Sequence, residues 1–419
     1  MTAKKNDQSS NKIVVQKFGG SSLTTAEYRK EAIKHITRQI NLGKRIVVVV
    51  SAMGRKGDPY ATDTLIQLIK ENGDALNKRE ADLLLSCGEL ISAATLSSML
   101  NAEKISNTVL TGGQAGIITN NDYSNAQIKN IHVGRLLKEI STHDVVIVTG
   151  FQGKSEDGET TTLGRGGSDT TATALGVALQ AEVVDIFTDV SGIMSADPRI
   201  VSDAKQLSAV TYEEICNLAY QGAKVIHPRA VEIAMESQVP IRVRSTFTDD
   251  EGTLVTSREE LLQQNQLINV QERLITGIAQ VPQIAQIKVM AKEGRYDLQL
   301  EVFKAMAANL ISVDFINVNP SGVAFTVHEE VVEQAISILN SLNYQPEVRR
   351  SCAKISTIGA GMAGVPGVMA HIVEALTSND IQILQTADSH NTIWVLVYEV
   401  DMKKAVSALH EKFFSLATY

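Results

Sequence analysis

The sequence predicts an α/β domain over residues 12–255, followed by two α+β modules that each run βαββαβ. Three observations carry this. Short runs rich in Val and Ile alternate with helical patterns from Lys12 to about Val255, the mark of a largely parallel sheet buried on both faces. Beyond Leu254 the pattern changes, and two stretches repeat one order of elements. The 419 residues are also too many for one core, at roughly 150 residues per domain.

The elements follow in order. Met1–Asn11 is polar, and Lys4, Lys5, Asn6 and Asp7 have no apolar run behind them to serve as a signal peptide, so a disordered tail is expected over 1–11. Strands are expected at Ile13–Lys17, Arg45–Ser51, Val145–Thr149, Val183–Thr188 and Pro240–Arg244, with helices between them, such as Ala26–Leu42 and Ser168–Leu179. Residues 256–280, with Gln263, Gln264 and Gln266, read as a linker. The first module, 281–350, places strands at Ile284–Ala291, Ser312–Asn317, Gly322–Val327 and Glu347–Arg350, with helices at Leu298–Ala308 and Glu330–Leu342. The second, 351–419, places strands at Lys354–Gly359, Ile381–Gln385 and Thr392–Val397 and helices at Val368–Thr377 and Met402–Phe413, with a last strand near Leu416–Tyr419.

Composition excludes several classes of function. A net charge of −8, from 39 basic and 47 acidic residues, argues against a general nucleic-acid or anionic-membrane binder. Apolar runs such as Ile46–Val50 and Val145–Val148 fall far short of the ~20 residues that span a bilayer, so no membrane segment is expected. Cys87, Cys216 and Cys352 are widely spaced and form no Cys-x-x-Cys pair. Neither a disulfide scaffold nor a protein-built metal site is expected, and a reducing cytoplasm fits.

In open α/β sheets, ligands gather at the carboxyl ends of the strands. There the first strand empties into Lys17-Phe18-Gly19-Gly20-Ser21-Ser22, where two glycines allow close approach of an anion and Lys17 supplies charge. It is neither a P-loop nor a Gly-x-Gly-x-x-Gly turn. Thr162-Leu163-Gly164-Arg165-Gly166-Gly167-Ser168-Asp169-Thr170-Thr171 joins an arginine able to grip a carboxylate to a glycine-rich helix start. Thr188-Asp189 again follows a strand, with Ala196-Asp197-Pro198-Arg199 just beyond. Glu89 lies in an apolar helical context, between Leu83–Leu85 and Leu90–Ala94, where an acid needs a partner. His227 and His390 read as turn residues and Cys87 as core.

Together with Ser51-Ala52-Met53-Gly54, Gly88-Glu89 and Gly222-Ala223-Lys224-Val225, these motifs resemble the aspartate kinase family over essentially the whole chain. Ser51–Leu65 is similar to the monofunctional Bacillus-type enzymes. The resemblance implies a three-layer α/β/α amino-acid-kinase domain with tandem ACT modules. It also implies transfer of the γ-phosphoryl of ATP, with Mg²⁺, to the β-carboxylate of L-aspartate, opening the pathway to diaminopimelate, lysine, threonine and methionine.

By the same resemblance, Lys17 stabilises the transferring phosphoryl group, Asp169 orients Lys17, and Phe18, Gly19, Gly20 and Ser21 cradle phosphates. Arg165 would hold the substrate α-carboxylate and Glu89 its α-ammonium. Thr62, Gly166, Gly167 and Ser168 would line the substrate, and Ser51, Thr188, Asp189, Met194, Asp197, Pro198, Arg199, Lys224 and Val225 the nucleotide. Met194 departs from a Tyr frequent in relatives. ACT modules imply a homo-oligomer, a dimer through these modules, and an amino-acid effector: meso-diaminopimelate, lysine or threonine. Gly364-Val365-Pro366-Gly367-Val368 keeps the effector turn, whereas Lys292–Asp297 lacks its Pro-Gly. The alternatives are a sister kinase for another carboxylate and a non-catalytic amino-acid sensor.

Overall fold

The computed structural model describes residues 12–73, 75–223, 225–264, 274–291, 297–362 and 364–415. The expected tail over 1–11 and the last strand near Leu416–Tyr419 lie outside them. The chain divides into two compact units: one of residues 1–193, 206–219 and 224–270, the other of 194–205, 220–223 and 271–419.

In the first unit the chain runs β1 (Ile13–Phe18), α1 (Gly20–Leu23), α2 (Ala26–Asn41), β2 (Arg45–Val50), α3 (Thr62–Glu71), α4 (Lys78–Ala102) and β3 (Asn107–Leu110). It continues through β4 (Ile117–Thr119), β5 (Ile128–Ile131), α5 (Gly134–Thr142), β6 (Val145–Thr149), β7 (Gln152–Ser155), β8 (Thr160–Thr162) and α6 (Gly167–Ala178). Then come β9 (Val183–Thr188), β10 (Ala209–Thr211), α7 (Tyr212–Tyr220), α8 (Pro228–Ser237), β11 (Ile241–Ser245), β12 (Thr253–Thr256) and α9 (Arg258–Gln264).

Eight strands form the main sheet in the order β10-β12-β11-β9-β1-β2-β6-β3, parallel except where β12 meets β11. Its strands are apolar on both faces because both are covered. Val14, Phe18, Val48 and Ile147 pack with Ala32, Ile33 and Ile36 of α2 and Ala93, Leu96 and Leu100 of α4. The alternate residues Val15, Val47, Val49 and Val146 are fully buried, and α5 and α6 pack on this sheet. The result is three layers, α/β/α. A small sheet, β5-β4-β7-β8, packs against α4 and α6.

By length and composition α4 could cross a bilayer. It packs on β2, β3 and β6 and buries Asp82 and Glu89, so it is a core helix.

In the second unit the order is β13 (Gly277–Met290), α10 (Leu298–Ala308), β14 (Asp314–Asn319), β15 (Gly322–His328), α11 (Val332–Ser341), β16 (Glu347–Ile358), α12 (Val368–Thr377), β17 (Gln385–Asp388), β18 (Thr392–Tyr398) and α13 (Met402–His410). One six-stranded sheet, β14-β15-β13-β16-β18-β17, serves two cores. One core gathers Ile287, Val302, Phe325 and Leu339, the other Ile355, Ile372, Leu376, Val395 and Val406.

The structure departs from the sequence reading here. Residues 347–350 and 354–358 are parts of one strand, β16, which continues through Ser351 at φ +52° and ends before Gly359. A strand begins at Gly277, inside the expected linker, because 277–281 pairs with 354–358 and fills the place beside β16. Register shifts around Ile284 let β13 pass from one core to the other. The strand expected at Ile381–Gln385 forms at Gln385–Asp388: Ile381 and Ile383 pack into the core, and pairing starts at Gln385.

Candidate active site

A cleft of about 630 Å³ opens in the first unit, at the carboxyl ends of β1 and β2. It is lined by Lys17, Gly20, Ser51, Thr62, Glu89 and the turn Gly164–Asp169. Residues spread over 150 positions in the chain meet here because parallel strands present their C-terminal turns on one edge. Lys17 is the last residue but one of β1, and its Nζ lies 2.6 Å from Asp169 Oδ1 in the first turn of α6. Both side chains are largely buried, so the pair is weakly screened. Asp169 Oδ2 also accepts the backbone N–H of His227 at 3.3 Å.

The glycine turn after β1 is shaped by its neighbours. A Cβ at Gly20 would come within 2.6 Å of the carbonyl oxygens of both Ala52 and Gly54. Gly19 donates its N–H to Phe187 O. The first amides of α1, from Gly20 and Ser21, have no intrahelical acceptor, and Gly20 lines the cleft. The ring of Phe18 is a correction to the sequence reading: it is fully buried and stacks on Phe187 at 4.7 Å. Strand alternation sends it to the α2 face and Lys17 to the other, so only its backbone is available to a ligand.

Glu89, in the middle of α4, is 2% exposed. Its Oε1 accepts the Ala52 N–H at 3.0 Å, and its Oε2 is buried without a hydrogen-bond partner among the described residues. Burial pushes its carboxyl up to about 8, against the opposing pull of the Ala52 amide. Arg165 stands between Gly164 and Gly166, both left-handed at φ +74° and φ +70°. A Cβ at Gly166 would strike the His227 ring at 2.2 Å. The Arg165 side chain is exposed and makes no ion pair among the described residues. Burial holds the His227 imidazole below its usual value, which leaves it neutral at pH 7, and Arg229 N–H caps on its Nδ1.

Thr188 ends β9, beside β1, and Asp189 follows it. Asp189 accepts from Thr188 Oγ1 and pairs with Arg55 at 2.6 Å. Burial raises the Asp189 carboxyl, but hydrogen bonds from its own amide, Thr188 and Arg55 outweigh it and hold the group below its ordinary value. Ser168 is buried, Gly167 packs on Phe151, and Val225 lies in the turn before α8. Lys224 lies outside the described residues. Met194, Asp197, Pro198 and Arg199 belong to the second unit, where Asp197 pairs with Arg199 at 2.7 Å and accepts from Gln280. Sequence reasoning missed Arg55, which lines the cleft, and Asp82. For Asp82 a signal existed: it precedes Glu89 by two helical turns, on the same face.

Comparisons with known proteins bear on this geometry. Residues 12–245 match the amino acid kinase family, and residues 347–411 match the ACT domain. The chain is 57% identical to aspartokinase 1 of Bacillus subtilis over 402 residues, covering 96% of this chain and 99% of that one. It is 39% identical to an aspartokinase of Geobacillus stearothermophilus, covering 96% and 97%. Its fold matches that of E. coli aspartokinase III in complex with aspartate and ADP with a TM-score of 0.78 at 26% identity, covering 96% of this chain and 100% of that one. The α/β/α layers, the modules and the cleft at the strand ends have a common explanation: the chain belongs to the aspartokinase family, kinases that phosphorylate aspartate with ATP.

Proposed function

We propose that the cleft binds L-aspartate with its α-ammonium on Glu89 and its α-carboxylate on Arg165, so that the β-carboxylate faces Lys17 and the γ-phosphate of ATP. The observation that carries this reading is the buried, unpartnered Glu89 Oε2, which shares one cleft with Lys17, Asp169 and the unpaired Arg165. An ammonium would satisfy that oxygen and draw the carboxyl back to its ionised form.

The nucleophile needs no general base, because a free β-carboxylate with a pKa of about 3.9 is ionised at neutral pH. What the site supplies is orientation and charge neutralisation. Lys17, held by Asp169, neutralises charge on the transferring group as it passes between oxygens. The amides of Gly20 and Ser21 support the phosphates beside Ser51, and Thr62 and Ser168 line the acceptor side. Thr188 and Asp189 border the nucleotide. Mg²⁺ fits this donor set as an ion brought by the phosphates, since Mg²⁺ needs only one or two carboxylates and Asp169 provides one beside Lys17; bound there, it adds positive charge at the phosphates.

The tandem modules make an amino-acid effector the expected regulator, with meso-diaminopimelate ahead of lysine and threonine and a dimer formed through the modules. A solved complex of E. coli aspartokinase III with lysine and aspartate in its T-state supports an amino acid as effector. The effector must prefer one of two global states, since only differential affinity shifts an equilibrium. ATP supply and free thiols such as Cys352 suit the cytoplasm.

Steady-state kinetics separate the two poles of the site. Lys17→Ala should lower kcat by roughly 100- to 1,000-fold, as for other contacts made mainly in the transition state. Arg165→Ala should instead raise KM for aspartate strongly. A wild-type kcat in the first variant, or a wild-type KM in the second, would remove that residue from its role.

A further inference from the structure

We propose that Asp82 is a positioning residue for the reaction, a buried carboxylate that holds the Arg165 turn in register with Glu89. The inference rests on the reading of Arg165 as the partner of the substrate α-carboxylate.

Asp82 lies in the second turn of α4 and is fully buried. Its Oδ2 accepts the backbone N–H groups of Ser124 at 3.0 Å and Thr162 at 2.7 Å. Its Oδ1 accepts the hydroxyls of the same two residues, at 3.2 and 2.8 Å. A carboxylate has about four acceptor sites, and here neutral donors from two segments distant in the chain fill them all. Ser124 is held at φ +71°, the left-handed region that few residues other than glycine adopt. Thr162 closes β8, three residues before Arg165.

Other contacts tighten the same fastening. Ala126 N–H donates to Thr162 O at 2.8 Å, and Arg229 donates to Leu163 O and Ala126 O, each at 3.2 Å. A Cβ on Gly164 would lie 2.9 Å from Asn125 Oδ1. The turn carrying Arg165 is therefore locked to the Ser124 turn, and both are locked to α4. Seven residues, about 10 Å of helix, separate Asp82 from Glu89 on that helix. An α-amino acid carries its ammonium and carboxylate on a single carbon, so the two groups that receive them must keep a fixed separation. Helix α4 is the spacer that sets it. Asp82 is not among the residues lining the cleft and acts through Arg165.

The test is steady-state kinetics of Asp82→Asn, Thr162→Val, Arg165→Ala and the double variant Asp82→Asn/Arg165→Ala in the full chain. Asn keeps the size of Asp but turns an NH₂ toward one of the donors; Val keeps the shape of Thr but removes one hydroxyl. Asp82→Asn should raise KM for aspartate by roughly 10- to 100-fold, with kcat and KM for ATP little changed. Thr162→Val should move KM the same way by less. In the Arg165→Ala background, Asp82→Asn should add nothing, a non-additivity that a merely structural role would not produce.

A wild-type KM for aspartate in Asp82→Asn or Thr162→Val beside an impaired Arg165→Ala would overturn the Asp82 proposal alone. So would effects that multiply in the double variant. A wild-type KM in Arg165→Ala would overturn the reading of Arg165 and this inference with it. Should Asp82→Asn fail to fold, Thr162→Val decides.

Discussion

Glu89 concentrates the chemistry of substrate recognition in one side chain. With its carboxyl pushed up to about 8 by burial, the empty site holds a proton at neutral pH, and binding an ammonium must release it. KM for aspartate should therefore rise as pH falls from about 8, by up to tenfold per unit, until the pKa of the bound state is reached. Glu89→Gln should abolish that slope and bind aspartate weakly at every pH; initial rates from pH 6 to 9 measure both. The same shift acts on folding. A carboxyl raised in the folded state stabilises the fold fully below its unfolded value of about 4.5, and this contribution is lost as pH climbs through 8. The empty wild type should thus lose thermal stability between pH 5 and 9, and Glu89→Gln should lose less. Glu89, Lys17 and Arg165 were legible in the sequence because each breaks a local rule: an acid in an apolar helix, a lysine leaving a buried strand, an arginine inside a glycine turn. Asp82 was missed: its spacing from Glu89 puts both on one helix face, but an acid near the start of a helix reads as ordinary capping until its four donors are seen.

At the scale of elements, the turns around the cleft depend on glycine. Gly166→Ala meets both a left-handed backbone and the His227 ring, so it should cost about 1–3 kcal/mol of stability and raise KM for aspartate. Gly43→Ala is the control: the same backbone region at φ +75° with open space around it, expected to cost stability alone. Denaturant midpoints and KM values for the two variants distinguish site from strain. The central strands could be read from sequence because they are continuous Val and Ile runs, and β6 and β9 fall where expected. Short strands such as β4, β5 and β8 carry three or four residues of mixed polarity and leave no such trace. The unbroken course of β16 was hidden by Arg349-Arg350-Ser351, which looks like a turn and is a left-handed kink in a continuing ladder.

For the whole molecule, two units with separate cores imply two cooperative transitions in calorimetry. Ligands that bind one folded unit raise its transition, by about 2.7 kcal/mol at a hundred times their Kd. Aspartate with MgATP should raise the transition of the first unit, and an effector amino acid that of the second. Nothing in the sequence signalled that residues 194–205 pack into the core of the second unit through Ala196 and Val201, because those contacts join positions nearly two hundred residues apart. The order of elements from Ile284 to His410 was legible for the converse reason: most of each core comes from its own stretch of chain, although the second also takes Ile275 and Ile278.

In the proposed reaction, one cleft reads a free α-amino acid by its ammonium and phosphorylates its side-chain carboxylate. Acyl-phosphate formation, trapped with hydroxylamine in the presence of MgATP, tests it directly with L-aspartate, L-glutamate and N-acetyl-L-glutamate in parallel. Turnover is expected with L-aspartate alone. Comparable turnover with the N-acetylated acid, which offers Glu89 no ammonium, would contradict it.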